Sequence, residues 1–292
     1  MLGVIVAAIV GVLAVAMISV MQDGGDGRAA SSRSLSPQPT TALTPLSGSA
    51  TPGSSGGAAG AVLNSLDLTT CTDSSLVGSR AVEHEGEGSV DVDHSVVYGD
   101  YRCSARFTLD AGGKRVELRD DTEQLAGQVR YYAITLRLDP SWPTGKDAPD
   151  TVITQFLNVD TDRNFAPPLQ LTIQGGDFHM WSYGTYSGQI NPERAARYTL
   201  LWDHPIETGQ WLTFVMGIRW SNDPSAGQFN MTYQGKVVVP TTTLQTLYSN
   251  PDGSPCQVYA KAGVYGATGD VTRSMNVGRW QIGASAAAAL KG

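Results

Sequence analysis

The chain of 292 residues carries a formal net charge of −7 at pH 7, and 41% of its residues are hydrophobic. This length is sufficient for one large β-domain with additional segments. The acidic balance argues against a nucleic-acid partner held by bulk charge. It remains compatible with an acidic ligand that binds in a local basic cleft.

The N-terminal segment, residues 1–22, is predicted to be a signal anchor or a signal peptide. Its first 21 residues contain no charged side chain, a run long enough for a membrane-spanning helix and longer than the usual apolar core of a signal peptide. The anchor is favoured, although Ala14-Val15-Ala16 offers a cleavage site. In either case we expect the rest of the chain to be extracellular, either secreted or tethered to the membrane through this segment.

The remainder divides by composition into a linker, a domain and a short tail. Residues 23–61 are rich in Ser, Thr, Pro and Gly and are predicted to be a disordered linker. Residues 62–286 alternate between apolar and polar positions in short runs, which predicts one β-domain, and residues 287–292 form a tail.

Many short strands without a sustained helical period predict an all-β fold, a concanavalin-like β-jelly-roll sandwich of two antiparallel sheets. A short helix is predicted over 241–248. The strands are predicted at residues 102–109, 115–119, 131–138, 151–158, 169–174, 177–183, 211–220, 227–238, 259–265 and 277–283.

Three cysteines, Cys71, Cys103 and Cys256, are present. Outside the cell we expect one disulfide and one remaining thiol, and the sequence leaves all three pairings open. Their spacing resembles no metal site.

The stretch QVYAKAGVYGAT places Tyr259, Lys261 and Tyr265 at alternate positions, with small apolar residues between them. A strand directs alternate side chains to opposite faces, so two phenols and an ammonium share one face. An exposed cross-strand ladder would explain such a row, and so would the wall of a binding groove.

Other predicted strands carry similar polar rows. RVELR places Arg115, Glu117 and Arg119 on one face, and TVITQFLN contributes Gln155. Solvent-facing sheets are also polar, but Gln, Arg and Tyr in rows favour a concave sheet that binds polar, flat-faced groups such as sugar rings.

RVELR, VITQFLN and YAKAGVY, in this order, resemble blocks of the β-jelly-roll polysaccharide lyases. The resemblance covers roughly residues 80–285 and extends to family 7 alginate lyases and to the heparin lyase I and glucuronan lyase group. YAKAGVY is the most specific block. Where those lyases usually carry a histidine two positions after the glutamine, this chain has Leu157.

The resemblance implies an extracellular lyase that cleaves an acidic polysaccharide, a 4-linked polyuronate of the glucuronan or alginate type, by β-elimination. Tyr265 would be the general acid and, without the usual histidine, also the base. Gln155 and Arg119 would neutralise the uronate carboxylate, with Arg115 as the alternative to Arg119.

The other predicted substrate-binding residues surround that centre. They are Lys261, Tyr259, Arg115, Glu117, His179 and His94, the two histidines being candidates to replace the missing imidazole.

Two other classes of protein share the sandwich fold, hydrolases and lectins. A hydrolase needs two carboxylates at a catalytic separation, and the E-x-D-x-x-E pattern of one sandwich-fold hydrolase family is absent from the sequence. A non-catalytic, lectin-like module that binds acidic glycans stays open, and Leu157 favours it.

We expect no cofactor and a monomer. Calcium is a weaker alternative, at residues 91–95 or 158–164, because Asp clusters are ordinary in turns.

Overall fold

The computed structural model describes Leu46 and residues 60–73, 81–159, 166–184, 197–250 and 252–291. The predicted signal segment lies outside these residues, as does nearly all of the predicted linker. Within the described part of the chain, no helix is long and apolar enough to cross a membrane.

The described residues form fifteen strands and one short helix, α1 (Ala286–Ala289). In chain order the strands are β1 (Val62–Ser65), β2 (Ala81–Glu85), β3 (Gly88–Asp93), β4 (Ser104–Leu109), β5 (Arg115–Gln124), β6 (Val129–Leu138), β7 (Thr151–Asn158), β8 (Leu169–Gln174), β9 (Asp177–Gly184), β10 (Arg197–Pro205), β11 (Leu212–Arg219), β12 (Gln228–Tyr233), β13 (Lys236–Thr243), β14 (Val258–Gly266) and β15 (Arg273–Gly283).

These strands form two antiparallel sheets, which confirms the predicted jelly-roll sandwich. The eight-stranded sheet has the order β13-β12-β11-β6-β15-β4-β3, with β1 also paired to β15. The seven-stranded sheet has the order β10-β9-β8-β7-β14-β5-β2. Since β14 lies between β5 and β7, strands that are far apart in sequence share one face.

Apolar and polar side chains alternate along the strands, and the apolar ones form the core between the two sheets. In β14 the apolar positions Val258, Ala260, Ala262 and Val264 are buried against the facing sheet. Aromatic rings fill the centre at edge-to-face angles, with Phe156 of β7 contacting Tyr132 and Trp220 at centroid distances of 4.8 and 5.4 Å. Burying an aromatic or large aliphatic side chain contributes about 1.5–3 kcal/mol, so the core fixes the register of the polar face.

Two predictions of local structure are wrong. Residues 227–238 form a hairpin of β12 and β13 rather than one strand, because Gln234 and Gly235 take left-handed φ angles of 49° and 74° that suit a two-residue hairpin turn. The predicted helix over 241–248 begins inside β13, where Thr242 and Thr243 pair with β12. β-Branched threonines favour a strand over a helix.

The structure also extends the prediction at both ends of the domain. Three strands precede residue 102, where the first strand was predicted, and Gly86 turns the chain between β2 and β3 with φ of 85°. After residue 286, α1 packs Ala289 onto β6 and β11. The packed unit therefore continues into the predicted tail.

The predicted disulfide is present and joins Cys71 to Cys103, with a Cα–Cα distance of 5.9 Å. It links the segment after β1 to the start of β4. Cys256 is a buried free thiol.

Candidate active site

The registers of β5, β14 and β7 bring the predicted polar residues together on one face of the seven-stranded sheet. Lys261 of β14 lies between Arg119 of β5 and Gln155 of β7. Tyr265 of β14 lies opposite Arg115 of β5. The sequence pattern placed each of these side chains on the same face of its own strand, and the strand order makes them neighbours.

Glu117 connects the members of this cluster. Its side chain is 0% exposed, Oε1 accepts a hydrogen bond of 2.8 Å from Gln155 Nε2, and Oε2 lies 3.3 Å from Arg115 Nε. Burial raises the pKa of this carboxyl, although Lys261, Arg115 and the Gln155 amide act in the opposite direction. The predicted role of Glu117 in contacting substrate is therefore corrected: a fully buried carboxyl supports its neighbours instead.

Lys261 also differs from its predicted role. Its side chain is 3% exposed, and its ammonium donates to Glu83 Oε2 of the edge strand β2. Its ion pair with Glu83 places this ammonium to organise other side chains of the cluster.

Glu83 is the functional-site residue that the sequence reasoning missed. Oε2 also accepts a hydrogen bond of 3.1 Å from Arg115, and Oε1 lies 3.7 Å from Arg119. Burial opposes ionisation, but Lys261 and Arg115 outweigh it and lower the pKa of Glu83. The alternation of half-buried Val82, which packs on the core, with Glu83 was the available signal that this carboxylate faces the groove.

Two guanidinium–aromatic contacts form the more exposed part of the cluster. The Arg115 guanidinium carbon lies 4.4 Å from the Tyr265 ring centroid, and that of Arg119 lies 4.2 Å from the Tyr259 ring centroid. Burial raises the pKa of Tyr259, partly offset by Arg119. The Arg119 side chain is 37% exposed, so this guanidinium reaches the groove surface.

Neither candidate histidine replaces the missing imidazole directly. Leu157 pairs with Tyr259 at the position where the resemblance would place a histidine. His179 lies on β9, opposite Thr172 of β8, and its Nδ1 is 3.0 Å from Gln174 Oε1. His94 is exposed and follows β3 in the other sheet, so its placement does not support the predicted substrate contact.

Beyond β8 the same face becomes aromatic. Gln170 donates a hydrogen bond of 2.8 Å to the Tyr183 hydroxyl, and Trp181 donates one of 3.1 Å to Gln174 Oε1. Tyr198 of β10 is 54% exposed and packs edge-to-face on Trp181. A charged end and an aromatic end therefore follow each other across the sheet.

The predicted calcium positions are partly described. Asp93 accepts hydrogen bonds from Ser95 and from Asn276 Nδ2, and Asp91 accepts one from Ser89. Most of the second predicted position, from residue 160 onward, lies outside the described residues. Among those that are described, no group of three His, Cys, Asp or Glu side chains could hold a metal ion.

Jelly rolls include lectin domains among other proteins, and this one carries charged and aromatic side chains across one sheet. A family model described as polysaccharide lyase matches residues 72–280. The chain belongs to this family and is a polysaccharide lyase by that membership.

Two solved structures show the same fold. An endo-β-1,4-glucuronan lyase from the fungus Trichoderma reesei aligns with a TM-score of 0.60 and 16% identity, over 76% of this chain and 95% of that one. An alginate lyase from a Chlorella virus aligns with a TM-score of 0.52 and 11% identity, over 76% of this chain and 99% of that one. No curated protein sequence matches the chain.

Proposed function

We propose that the protein is an extracellular lyase that cleaves a 4-linked polyuronate of the glucuronan or alginate type by β-elimination. The observation that carries the proposal is the convergence of Gln155, Arg115, Arg119 and Tyr265 around Glu117 and Glu83 on adjacent strands. The glucuronan and alginate lyases of the same fold support the substrate class, and the disulfide supports export.

The first chemical requirement is to neutralise the uronate carboxylate. The proton on C5 becomes acidic only when the adjacent carboxylate charge is stabilised. Gln155 keeps one amide N–H beyond its bond to Glu117, because an amide nitrogen has two donors. Arg119 supplies a planar, permanently charged donor at the groove surface. Together they provide preorganised stabilisation for the charge that develops on the carboxylate.

The second requirement is proton transfer. Removal of the C5 proton leaves an electron pair that forms the C4–C5 double bond, while the bond from C4 to the glycosidic oxygen breaks and that oxygen takes a proton. Tyr265 would perform both transfers on one side of the sugar ring: its phenolate would take the C5 proton, and the phenol so formed would give that proton to the leaving oxygen. The Arg115 guanidinium beside its ring would stabilise negative charge on the phenol oxygen.

Leu157 favours a second candidate, a lectin-like module that binds acidic glycans without cleaving them. An aliphatic side chain next to Tyr259 cannot transfer protons, whereas the family pattern has an imidazole there. This candidate uses the same groove and predicts binding without product.

Ultraviolet absorbance separates the two candidates. Residues 40–292, the compact unit that contains both sheets, are mixed with glucuronan, alginate and heparin. Elimination creates a conjugated unsaturated uronate that absorbs, whereas binding or hydrolysis creates none. We expect a rise with glucuronan or alginate and none with the sulfated polymer. A flat trace with all three, together with binding to one, would establish the lectin instead.

A further inference from the structure

The carboxylate of Glu83 is shared unequally among the three cations of the site. Oε2 contacts Lys261 and Arg115 at hydrogen-bond distance, while Oε1 is 3.7 Å from Arg119, beyond a normal hydrogen bond. Lys261 is 3% exposed and Arg119 is 37% exposed. Oε2 therefore holds the two cations in the interior of the cluster, Lys261 and Arg115. Oε1 only faces Arg119, the cation at the surface of the cluster.

The charges explain why an acidic residue is needed at this position. Lys261 and Arg115 contribute two positive charges near the fully buried Glu117, whose pKa burial raises. Arg119 adds a third positive charge beside Glu83. Without Glu83, the Lys261 ammonium would turn to Glu117, the acceptor of the Gln155 amide. A buried cation without its partner is strongly destabilising and rearranges its surroundings.

We propose that Glu83 is a positioning residue with two separate effects. Through Oε2 it holds Lys261 and Arg115, which keeps the Glu117–Gln155 hydrogen bond and the Arg115–Tyr265 contact in place. Through Oε1 it competes with the uronate carboxylate for Arg119, so substrate binding replaces the weaker of its ion pairs. This inference rests on the proposed function because it assigns the incoming carboxylate to a polyuronate.

The two effects predict separate changes in kcat and KM for Glu83→Gln, which keeps the size of the side chain and removes its charge. Loss of the Oε2 contacts should reduce kcat about tenfold, a disturbance of about 1.4 kcal/mol. Loss of competition at Oε1 should lower KM about threefold. A variant that was only less well folded would lose kcat without a tighter KM. Glu83→Asp, which keeps the charge, should restore KM toward the wild-type value.

Glu85→Gln is the matched control. Glu85 lies two residues along the same strand, opposite Arg115 in the register, but its carboxylate pairs with Lys114 at 2.7 Å. The control removes the same charge from β2, so we expect kcat and KM close to those of the wild type. An equal fall of KM in both variants would show a general charge effect and overturn the proposal.

Binding of saturated uronate oligomers, measured by calorimetry, separates this inference from the function on which it rests. If the wild type binds but does not cleave, the proposed function fails, and a tighter Kd in Glu83→Gln still supports competition at Arg119. An unchanged or weaker Kd overturns the inference even in an active lyase. If the wild type neither binds nor cleaves, both are overturned.

Discussion

The carboxylate of Glu117 on β5 accepts a 2.8 Å hydrogen bond from the amide of Gln155 on β7. These two strands are adjacent neither in sequence nor in the sheet, where β14 lies between them. The bond crosses β14 at Gly263, which pairs with Glu117. A Cβ built at Gly263 would approach the Val116 carbonyl oxygen to 2.2 Å and the Glu117 Cγ to 3.1 Å. The glycine between two tyrosines in YAKAGVY therefore gives these two side chains the room to meet.

Truncation of Glu117 tests this network through stability. Glu117→Ala should lower the free energy of unfolding by about 3–5 kcal/mol, because the change leaves buried partners of a carboxylate uncompensated. Glu117→Gln keeps an acceptor for the Gln155 amide and should lower the free energy of unfolding by less than Glu117→Ala does. Urea denaturation measures both. Equal losses in the two variants would mean that the negative charge, which both variants remove, determines the cost rather than the cavity or the acceptor for the Gln155 amide.

His179 distinguishes a binding role from a catalytic role. Three strand spacings separate β14 from β9, which is about 14 Å at 4.8 Å per spacing, so the imidazole is too far from Tyr265 to share its proton. His179→Ala should raise KM severalfold and leave kcat nearly unchanged in steady-state kinetics. A loss of kcat of a hundredfold or more would make this imidazole the missing base.

The difference between what the sequence predicted and what it missed follows from the range of the contacts involved. Alternation within a strand depends only on neighbouring residues, so the faces of Gln155, Lys261 and Tyr265 could be predicted. Which strands lie side by side depends on the packing of the whole sandwich. For that reason the burial of Glu117 and the contribution of Glu83 from an edge strand could not be predicted. The same holds for the position of His94, which follows β3 of the other sheet.

Asp93 should make stability depend on pH in acid. Burial raises its pKa, but hydrogen bonds from Ser95, Asn276 and Val96 outweigh that effect, so its folded-state pKa lies below the ordinary value of 3.8. Such a group stabilises the fold above the unfolded pKa, and this contribution is lost as the pH falls through the folded pKa. Asp93→Asn should therefore cost about 1–2 kcal/mol near neutral pH.

Thermal unfolding of wild type and Asp93→Asn from neutral pH down into acid provides the measurement. The difference in Tm should shrink as the pH falls below 3.8. A difference that stayed constant over this range would show that Asp93 acts through its shape and not through its charge.

The disulfide makes a separate contribution to stability. Cys71 and Cys103 are 32 residues apart, and closing a loop of that length in the unfolded chain corresponds to about 3–4 kcal/mol at 25 °C. Reduction should lower the free energy of unfolding by that amount. Thiol titration of the unfolded, unreduced protein should find one free thiol, that of Cys256. A count of three would rule out the bond in the isolated protein.

The assignment of Tyr265 as the proton-transferring group is the central claim, and the kinetics of Tyr265→Phe on the preferred polyuronate test it most directly. The account predicts that kcat falls by at least about a hundredfold, the typical contribution of general acid–base catalysis, while Kd for the polymer stays within a few-fold of the wild type. Tyr101→Phe, in the loop between β3 and β4 of the other sheet, should leave both values unchanged. A Tyr265→Phe variant that still produced unsaturated uronate at the wild-type rate would contradict the account and move the chemistry to another residue.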